Sequence, residues 1–306
     1  MSLARRSPFW STAAIVVSTF VWGTWWIPLR QLDALGVSGL WATSAAFFLP
    51  LVVLLPLGLI RWRSLLQGGR VLLWAGLLIA LSTSLYAEGM VRGYVARVLL
   101  LFHLAPVWSV LLGRWLLSEP ITARRIATVC LGLCGMFVIF GINNEIPYPH
   151  TVADWMGLLS GASWAVGIVL LRRIEATPVI DKTIAIFLFM GLAFVLLTMI
   201  PGGRQWSGMP GGLLLPAMMW LLGLAAIWIF PIAWLTSYGA SGIDPGRVSI
   251  LLMLEVVIGL TTAALLTDEP FGLREIAGAA LIVAAGLTEL STKQSESSAP
   301  VRATVD

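Results

Sequence analysis

The feature that most constrains this chain is a succession of apolar stretches, each long enough to cross a lipid bilayer. A transmembrane α-helix needs about 20 consecutive, mainly apolar residues. Stretches of this kind recur along most of the sequence, and short segments rich in Gly, Pro, Asn and charged residues separate them. We therefore predict an all-α membrane protein of ten transmembrane helices. The predicted spans are 10–29, 40–60, 71–91, 96–117, 125–142, 153–171, 183–200, 213–238, 248–266 and 273–290.

The composition supports the membrane class. Of 306 residues, 58% are hydrophobic and 11% are charged, and the mean hydropathy is +0.92. Soluble domains carry about 25% charged residues, so a soluble fold is excluded. The segment from Ser291 onward is polar, and we predict a disordered cytoplasmic tail there.

Lysine and arginine are distributed unevenly between the connecting segments. If the N-terminus lies inside, the inside segments hold most of them, including Arg5, Arg61, Arg124 and Arg172. By the positive-inside rule we predict that both termini are cytoplasmic, in a bacterial inner membrane. The formal charge of +4 is accounted for by this topology, so we predict the lipid bilayer as a partner and no nucleic acid.

An internal repeat divides the chain. Residues 97–120 align without gaps onto residues 247–270, with arginine at the start and Glu-Pro at the end of both segments. Trp22 and Trp164 match in a second pair of segments. We predict a first repeat over residues 1–146, a second over 147–290 and the tail over 291–306.

The number of helices in each repeat carries the functional argument. Each predicted repeat has five helices, an odd number, so the second repeat must enter the membrane upside down relative to the first. Inverted repeats of this kind give many secondary transporters a binding site near the bilayer midplane and two related states around it. The sequence therefore predicts a transporter that works by alternating access.

Specific motifs then carry a family resemblance. They are Trp22-Gly23 in helix one, Leu104-Ala105-Pro106-Val107 and Ser118-Glu119-Pro120 in the first repeat, and Leu254-Glu255-Val256-Val257 and Asp268-Glu269-Pro270 in the second. Over residues 10–290 the chain resembles the drug/metabolite transporter superfamily, EamA type, and is most similar to YddG-type exporters. That resemblance implies export of aromatic and other amphipathic amino acids. Val256 stands where the second repeat often carries proline, so the kink of helix nine is expected to be absent.

Four acidic or basic side chains, Glu88, His103, Arg114 and Glu255, lie at least three residues inside the ends of predicted spans, and a charge at the centre of a span costs roughly 2.5–3.5 kcal/mol. Glu255 either carries a proton or binds a substrate ammonium, or it makes a structural hydrogen bond between helices. His103 either packs as a neutral hydrogen-bonded ring or contacts substrate and changes charge near neutral pH. We predict that Arg114 extends towards the membrane surface and that Glu88 pairs with Arg92.

Aromatic and hydroxyl side chains form stripes on several predicted helices, and Pro231 is predicted to kink helix eight. A cavity walled by Trp and Tyr with a few hydroxyls suits a zwitterionic amphipathic ligand, and its rings offer cation–π contacts to an ammonium. Core packing is the alternative for each aromatic residue taken alone. The candidate substrate-binding residues are Trp22, Trp26, Ser82, Tyr86, His103, Trp164, Trp234, Tyr238 and Glu255.

Other patterns are weaker or point away from catalysis. Cys130 and Cys134 are four residues apart, which does not fit a Cys-x-x-Cys pair, and the chain has only two histidines. We predict no metal, no cofactor and no enzyme activity, because no nucleophile–base pair or His-Glu-x-x-His motif is present. Gly157 and Gly161 predict close helix packing, either inside the chain or between copies of a homodimer.

The leading hypothesis is a secondary transporter that exports amino acids, with proton coupling as a further expectation. The first alternative is an exporter of amphipathic cations or drugs, or of another small metabolite, because Glu255 and aromatic rings serve a cation equally well. A carrier of phosphorylated metabolites is disfavoured, because it needs several Lys or Arg at the midplane. A channel is disfavoured because no filter segment is evident.

Overall fold

The computed structural model describes residues 7–37, 39–92, 95–140, 149–198, 214–266 and 272–290. Every regular element within these residues is helical, which confirms the predicted all-α class. The α-helices are α1 (Pro8–Thr24), α2 (Trp26–Ala34), α3 (Gly39–Ile60), α4 (Trp62–Gln67), α5 (Gly69–Arg92), α6 (Val95–Phe102), α7 (Ala105–Leu117), α8 (Ala123–Phe140), α9 (Val152–Arg173), α10 (Val179–Thr198), α11 (Leu214–Gly223), α12 (Phe230–Ala240), α13 (Pro245–Leu252), α14 (Leu254–Leu266) and α15 (Leu273–Leu290).

Several consecutive helices combine into single membrane-crossing units. Among the described residues, seven units are long and apolar enough to span a bilayer, so the chain is a multi-pass membrane protein. Three further predicted spans correspond to α3, α10 and α15. The count of ten spans and the cytoplasmic position of the termini stay predictions. The seven units are Pro8–Leu32, Gly69–Met90, Arg97–Leu117, Ala123–Phe140, Val152–Arg173, Leu215–Ala240 and Pro245–Leu266.

Two of these units are broken near their middle, between α6 and α7 and between α13 and α14. The first break precedes Pro106, which has no backbone N–H and is therefore favoured in the first turn of a helix. The second break has no proline. There the Met253 N–H donates to the Ile250 carbonyl at 3.1 Å, and the Val256 N–H donates to the Met253 carbonyl at 3.2 Å.

These two bonds span three residues instead of four, which tightens the turn and interrupts the α-helical ladder. The expectation that the kink of helix nine is absent, because Val256 replaces proline, is therefore wrong. A local change of hydrogen-bonding pattern produces the break that a proline produces in the first repeat.

Helix eight is also interrupted, as predicted. A π-helical segment, Leu224–Ile229, joins α11 to α12, and Pro231 lies in the first turn of α12. A π-helical turn accommodates an extra residue and so rotates the faces of the helix on either side of it. Two residues on either side of this segment can therefore lie on different faces of the helix, even when their spacing in the sequence would place them on one face of a regular α-helix.

Glycines bring the central helices into backbone contact. A Cβ atom on Gly161 of α9 would lie 3.1 Å from the carbonyl carbon of Phe102 in α6 and closer still to its oxygen. A Cβ on Gly157 would lie 2.9 Å from the carbonyl oxygen of Val98. The predicted small-residue motif therefore packs α9 against α6 inside the chain.

One end of the bundle is held by a group of charged side chains that we call the charged cluster: Glu119, Arg125, Asp244, Arg247 and Glu289. Arg125 at the start of α8 donates to both carboxylate oxygens of Asp244, at 2.5 and 3.1 Å. Its Nε lies 3.2 Å from Glu289 at the end of α15. Asp244 also caps α13 by accepting from the Arg247 N–H at 2.8 Å. The cluster therefore connects α8, α13 and α15.

Glu119 joins the charged cluster from the loop after α7. That helix ends at Ser118, which adopts a left-handed conformation with φ 58°. Burial raises the pKa of the Glu119 carboxyl to about 7, and the nearby Asp244 carboxylate adds to the rise, while Arg172 and Arg125 act in the opposite direction. Glu119 is thus a member of the cluster whose charge responds to pH near neutrality.

Candidate functional site: a central cavity at the helix breaks

A cavity lies where the two broken units meet α1, α5 and α9. It is positioned by the helix breaks, because α6, α7, α13 and α14 all end or begin beside it. The breaks place side chains from both halves of the sequence around one space. The lining residues are Trp22, Ser82, Thr83, Tyr86, Phe102, His103, Ala105, Pro106, Trp164, Ser249, Leu252 and Glu255.

Aromatic rings form a continuous wall of this cavity. The ring centroids of Trp22 and Trp164 are 6.4 Å apart, and those of Phe102 and Trp164 are 6.3 Å apart, both in edge-to-face arrangements. Tyr86 lies 4.8 Å from Phe102. The two tryptophans that match in the internal repeat thus meet in space, one from each half of the chain.

An imidazole and a carboxyl group face each other at the helix breaks. His103 lies between α6 and α7, and its Nε2 is 3.1 Å from Oε1 of Glu255 in the first turn of α14. The Nδ1 atom of the same ring is 2.8 Å from the Leu99 carbonyl oxygen. His103 is 3% exposed, and the Glu255 side chain is 14% exposed. The pair is therefore largely removed from solvent but borders the cavity.

Hydroxyl groups connect the helices around the cavity. The Ser160 hydroxyl of α9 donates to the Ser82 carbonyl of α5 at 2.7 Å, and the two hydroxyl oxygens are 3.1 Å apart. Ser109 of α7 and Ser249 of α13 are 2.6 Å apart. Buried hydroxyls need partners of this kind, and these bonds fix the spacing between the helices that carry the lining residues.

The structure brings six of the nine candidate residues into the wall of this cavity: Trp22, Ser82, Tyr86, His103, Trp164 and Glu255. Their role in binding substrate stays a prediction. The other three lie elsewhere. Trp26 donates from Nε1 to Thr262 at 3.1 Å, Trp234 stacks on Phe230, and Tyr238 follows Trp234 one turn later on α12.

Sequence reasoning missed six lining residues: Thr83, Phe102, Ala105, Pro106, Ser249 and Leu252. Phe102 is the last residue of α6. The direction of the Phe102 ring depends on the break between α6 and α7, which the sequence did not reveal. Thr83 directly follows the candidate Ser82, so the sequence already indicated that this part of α5 borders the cavity. Ser249 gave no such signal, because it is one small residue in an apolar stretch.

The Glu88–Arg92 ion pair is found as predicted, whereas the reach of Arg114 to the membrane surface stays a prediction. Arg92 donates to Glu88 as an i, i+4 ion pair on α5. Arg114 lies exposed in the last turn of α7, where a long cationic side chain can reach the membrane surface. Within the described ranges, no group of three or more His, Cys, Asp or Glu side chains is placed to hold a metal ion.

Comparisons with known proteins agree on family and fold. The model of the EamA-like transporter family matches residues 9–141 and 151–288, which confirms the resemblance to the EamA type. The "Uncharacterized transporter YojE" of Bacillus subtilis (strain 168) is 26% identical over 266 residues, covering 83% of this chain and 85% of that protein. One protein crystal structure matches with a TM-score of 0.68 and 19% identity, covering 91% of this chain and 96% of that one.

Proposed function

The chain belongs to the EamA-like transporter family, and we propose that it exports aromatic and other large neutral amino acids across the bacterial inner membrane by alternating access. The observation that carries the proposal is the central cavity. It sets an aromatic wall, Trp22, Phe102 and Trp164, against the Glu255 carboxylate. The proposal places the chain close to the YddG-type exporters of its superfamily.

The chemistry of the cavity fits the two parts of such a substrate. The Glu255 carboxylate can pair with an ammonium group, and the tryptophan rings add cation–π attraction to it. The aromatic rings and Leu252 offer apolar surface to a large side chain. No Lys or Arg is among the described residues that line the cavity, which disfavours a phosphorylated substrate.

The packing of the bundle supports alternating access. All eight residues of α13 are buried, and the charged cluster holds that end together. In α14, beyond the break, Val256 is the one buried residue among those described. The cavity is therefore closed at the end where α13 begins, which our orientation places in the cytoplasm. Export requires this end to open and the charged cluster to separate.

The function is tested by efflux from proteoliposomes. We expect labelled phenylalanine, tryptophan and leucine to leave vesicles that contain the purified protein faster than they leave protein-free vesicles. Glucose 6-phosphate, as a phosphorylated control, should stay inside. If none of the aromatic or large neutral amino acids leaves faster than from empty vesicles, the proposed substrate class is wrong.

The same vesicles distinguish the alternative cargo. A hydrophobic cation would pair with the Glu255 carboxylate and the aromatic rings, but it carries no carboxylate of its own. We expect a tetraalkylammonium or arylphosphonium ion to compete weakly with phenylalanine efflux. Protein-dependent efflux of the cation without any amino-acid efflux would assign the chain to cation export.

A further inference from the structure

The contacts of His103 determine where its protons lie. The Leu99 carbonyl oxygen is an acceptor only, so the Nδ1 atom at 2.8 Å must carry a hydrogen. A neutral imidazole has one N–H. In a neutral ring the Nε2 atom is therefore a bare acceptor, and it faces Oε1 of Glu255 at 3.1 Å. It has no hydrogen-bond partner among the described residues.

Two acceptors at this distance in a buried site repel each other unless a proton lies between them. An ionised Glu255 needs a protonated His103, and a neutral His103 needs a protonated Glu255. Either arrangement contains one proton beyond the Nδ1–H. Loss of that proton leaves a lone pair facing a carboxylate, and addition of a second proton leaves an imidazolium facing a neutral acid. The contact is therefore favourable when the pair holds one proton.

The helix ends reinforce this state. Glu255 lies in the first turn of α14, where the unpaired N–H groups of the helix favour a negative charge. His103 lies just past the last residue of α6, and its Nδ1–H is held by a carbonyl of the last turn, which favours a positive ring. The two breaks thus place the acid and the base at complementary helix ends.

We propose that His103 and Glu255 form a single-proton site, and that the ammonium group of a bound amino acid displaces this proton, so that transport exchanges one amino acid for one proton. This inference rests on the proposed function. When the ammonium pairs with the Glu255 carboxylate, the proton leaves Nε2 for water in the cavity, and His103 returns to its neutral Nδ1–H form. The Nε2–H bond breaks and an O–H bond to the cavity water forms, no bond within the amino acid changes, and one proton is released per substrate bound.

The direction of exchange follows from this competition. Substrate that binds from the cytoplasm releases the proton there, and a proton that binds from outside releases the substrate outside. The proton therefore moves inward as the amino acid moves outward. Tyr86 on α5 is the other titratable side chain among the described lining residues. The helices α1, α7, α9 and α13 contribute lining residues that carry no acidic or basic group. These residues are Trp22, Ala105, Pro106, Trp164, Ser249 and Leu252.

The proton site is tested first without substrate. The chain has two histidines, His103 and His150, so ¹⁵N-histidine labelling gives two sets of signals, and His103→Gln assigns them. We expect the wild-type His103 ring to be protonated at Nδ1 throughout, and Nε2 to lose its proton in one step as the pH rises. In Glu255→Gln the amide N–H can donate to Nε2, so this step should disappear while the His150 signals are unchanged. A His103 ring protonated at Nε2 alone, or an identical titration in both proteins, overturns the proposal.

The exchange is tested second, with substrate. In a weakly buffered detergent solution with a pH dye, saturating phenylalanine should release up to one proton per wild-type chain and none from Glu255→Gln. Phenylalanine efflux by the wild type without proton release rejects the exchange but leaves the proposed function standing. Absence of all amino-acid efflux rejects both the function and the exchange, while the histidine signals still decide whether the proton site exists. If Glu255→Gln does not fold, the wild-type signals and the wild-type proton release decide the two questions.

Discussion

Replacing Asp244 with alanine is expected to produce the largest loss of stability among single changes outside the cavity. The change removes both hydrogen bonds that Arg125 donates to this carboxylate, and it leaves the partly buried guanidinium in contact with Glu289 and near Glu119. Removal of one partner from a buried ion pair costs about 3 kcal/mol or more. Loss of the cap of α13 adds about 1 kcal/mol. A lowered unfolding midpoint of the detergent-solubilised protein measures the effect.

A matched control separates this effect from the loss of any ion pair. Arg172 and Glu175 form a pair at 2.8 Å on the surface, where the Glu175 side chain is 58% exposed. Exposed pairs contribute about 0–1 kcal/mol, so Glu175→Ala should barely change the midpoint. If Asp244→Ala and Glu175→Ala have equal effects, the charged cluster does not hold the helix ends together as described.

Replacing Gly161 with alanine is expected to cause the second large effect, on both stability and transport. The new methyl group would meet the backbone of Phe102, which cannot move aside as a flexible side chain can. Overpacking of this kind costs about 1–3 kcal/mol. Separation of α9 from α6 also displaces His103, the next residue after Phe102. We therefore expect a lower unfolding midpoint together with a severe loss of phenylalanine efflux.

Gly223 provides the control for this substitution. A Cβ atom added there meets nothing within 4 Å among the described atoms, and its backbone is α-helical. Gly223→Ala should therefore leave the midpoint and the efflux unchanged. Equal behaviour of the two alanine variants would contradict the close approach of α9 to α6.

The helical class and most of the membrane spans could be predicted, because they depend on apolar length, which is a local property of the sequence. The site was partly predictable for the same reason. Regular spacing placed Ser82 and Tyr86 on one face of α5, and the internal repeat matched Trp22 with Trp164. Where the helices are regular, periodicity is enough to assign a residue to the cavity side.

Departures from regular helix explain what could not be predicted. In a regular α-helix Ile227, seven residues before the candidate Trp234, would lie on the same face as Trp234, but the π-helical segment between α11 and α12 changes the register. Ile227 is therefore 60% exposed, and Trp234 stacks on Phe230. The contact between His103 and Glu255 joins two helices whose relative position depends on their breaks.

Lys182 shows a third limit. The sequence places it in a loop before the predicted span 183–200, but it lies in the first turn of α10 and is fully buried. Its ammonium donates to the Leu171 carbonyl at 3.2 Å and to the Ser241 hydroxyl at 2.5 Å. The ammonium can be buried because it finds hydrogen-bond acceptors on α9 and just beyond α12. These acceptors are distant from Lys182 in the sequence, so a local pattern could not predict the burial.

The central claim is that the aromatic cavity binds the transported amino acid, and equilibrium binding of labelled phenylalanine to the purified protein tests it most directly. We predict saturable binding to the wild type and to Trp115→Ala, because Trp115 is 85% exposed on the outer surface. Trp164→Ala should bind at least about tenfold more weakly, which corresponds to roughly 1.4 kcal/mol. Equal affinity of Trp164→Ala and the wild type, with both proteins folded, would contradict the account.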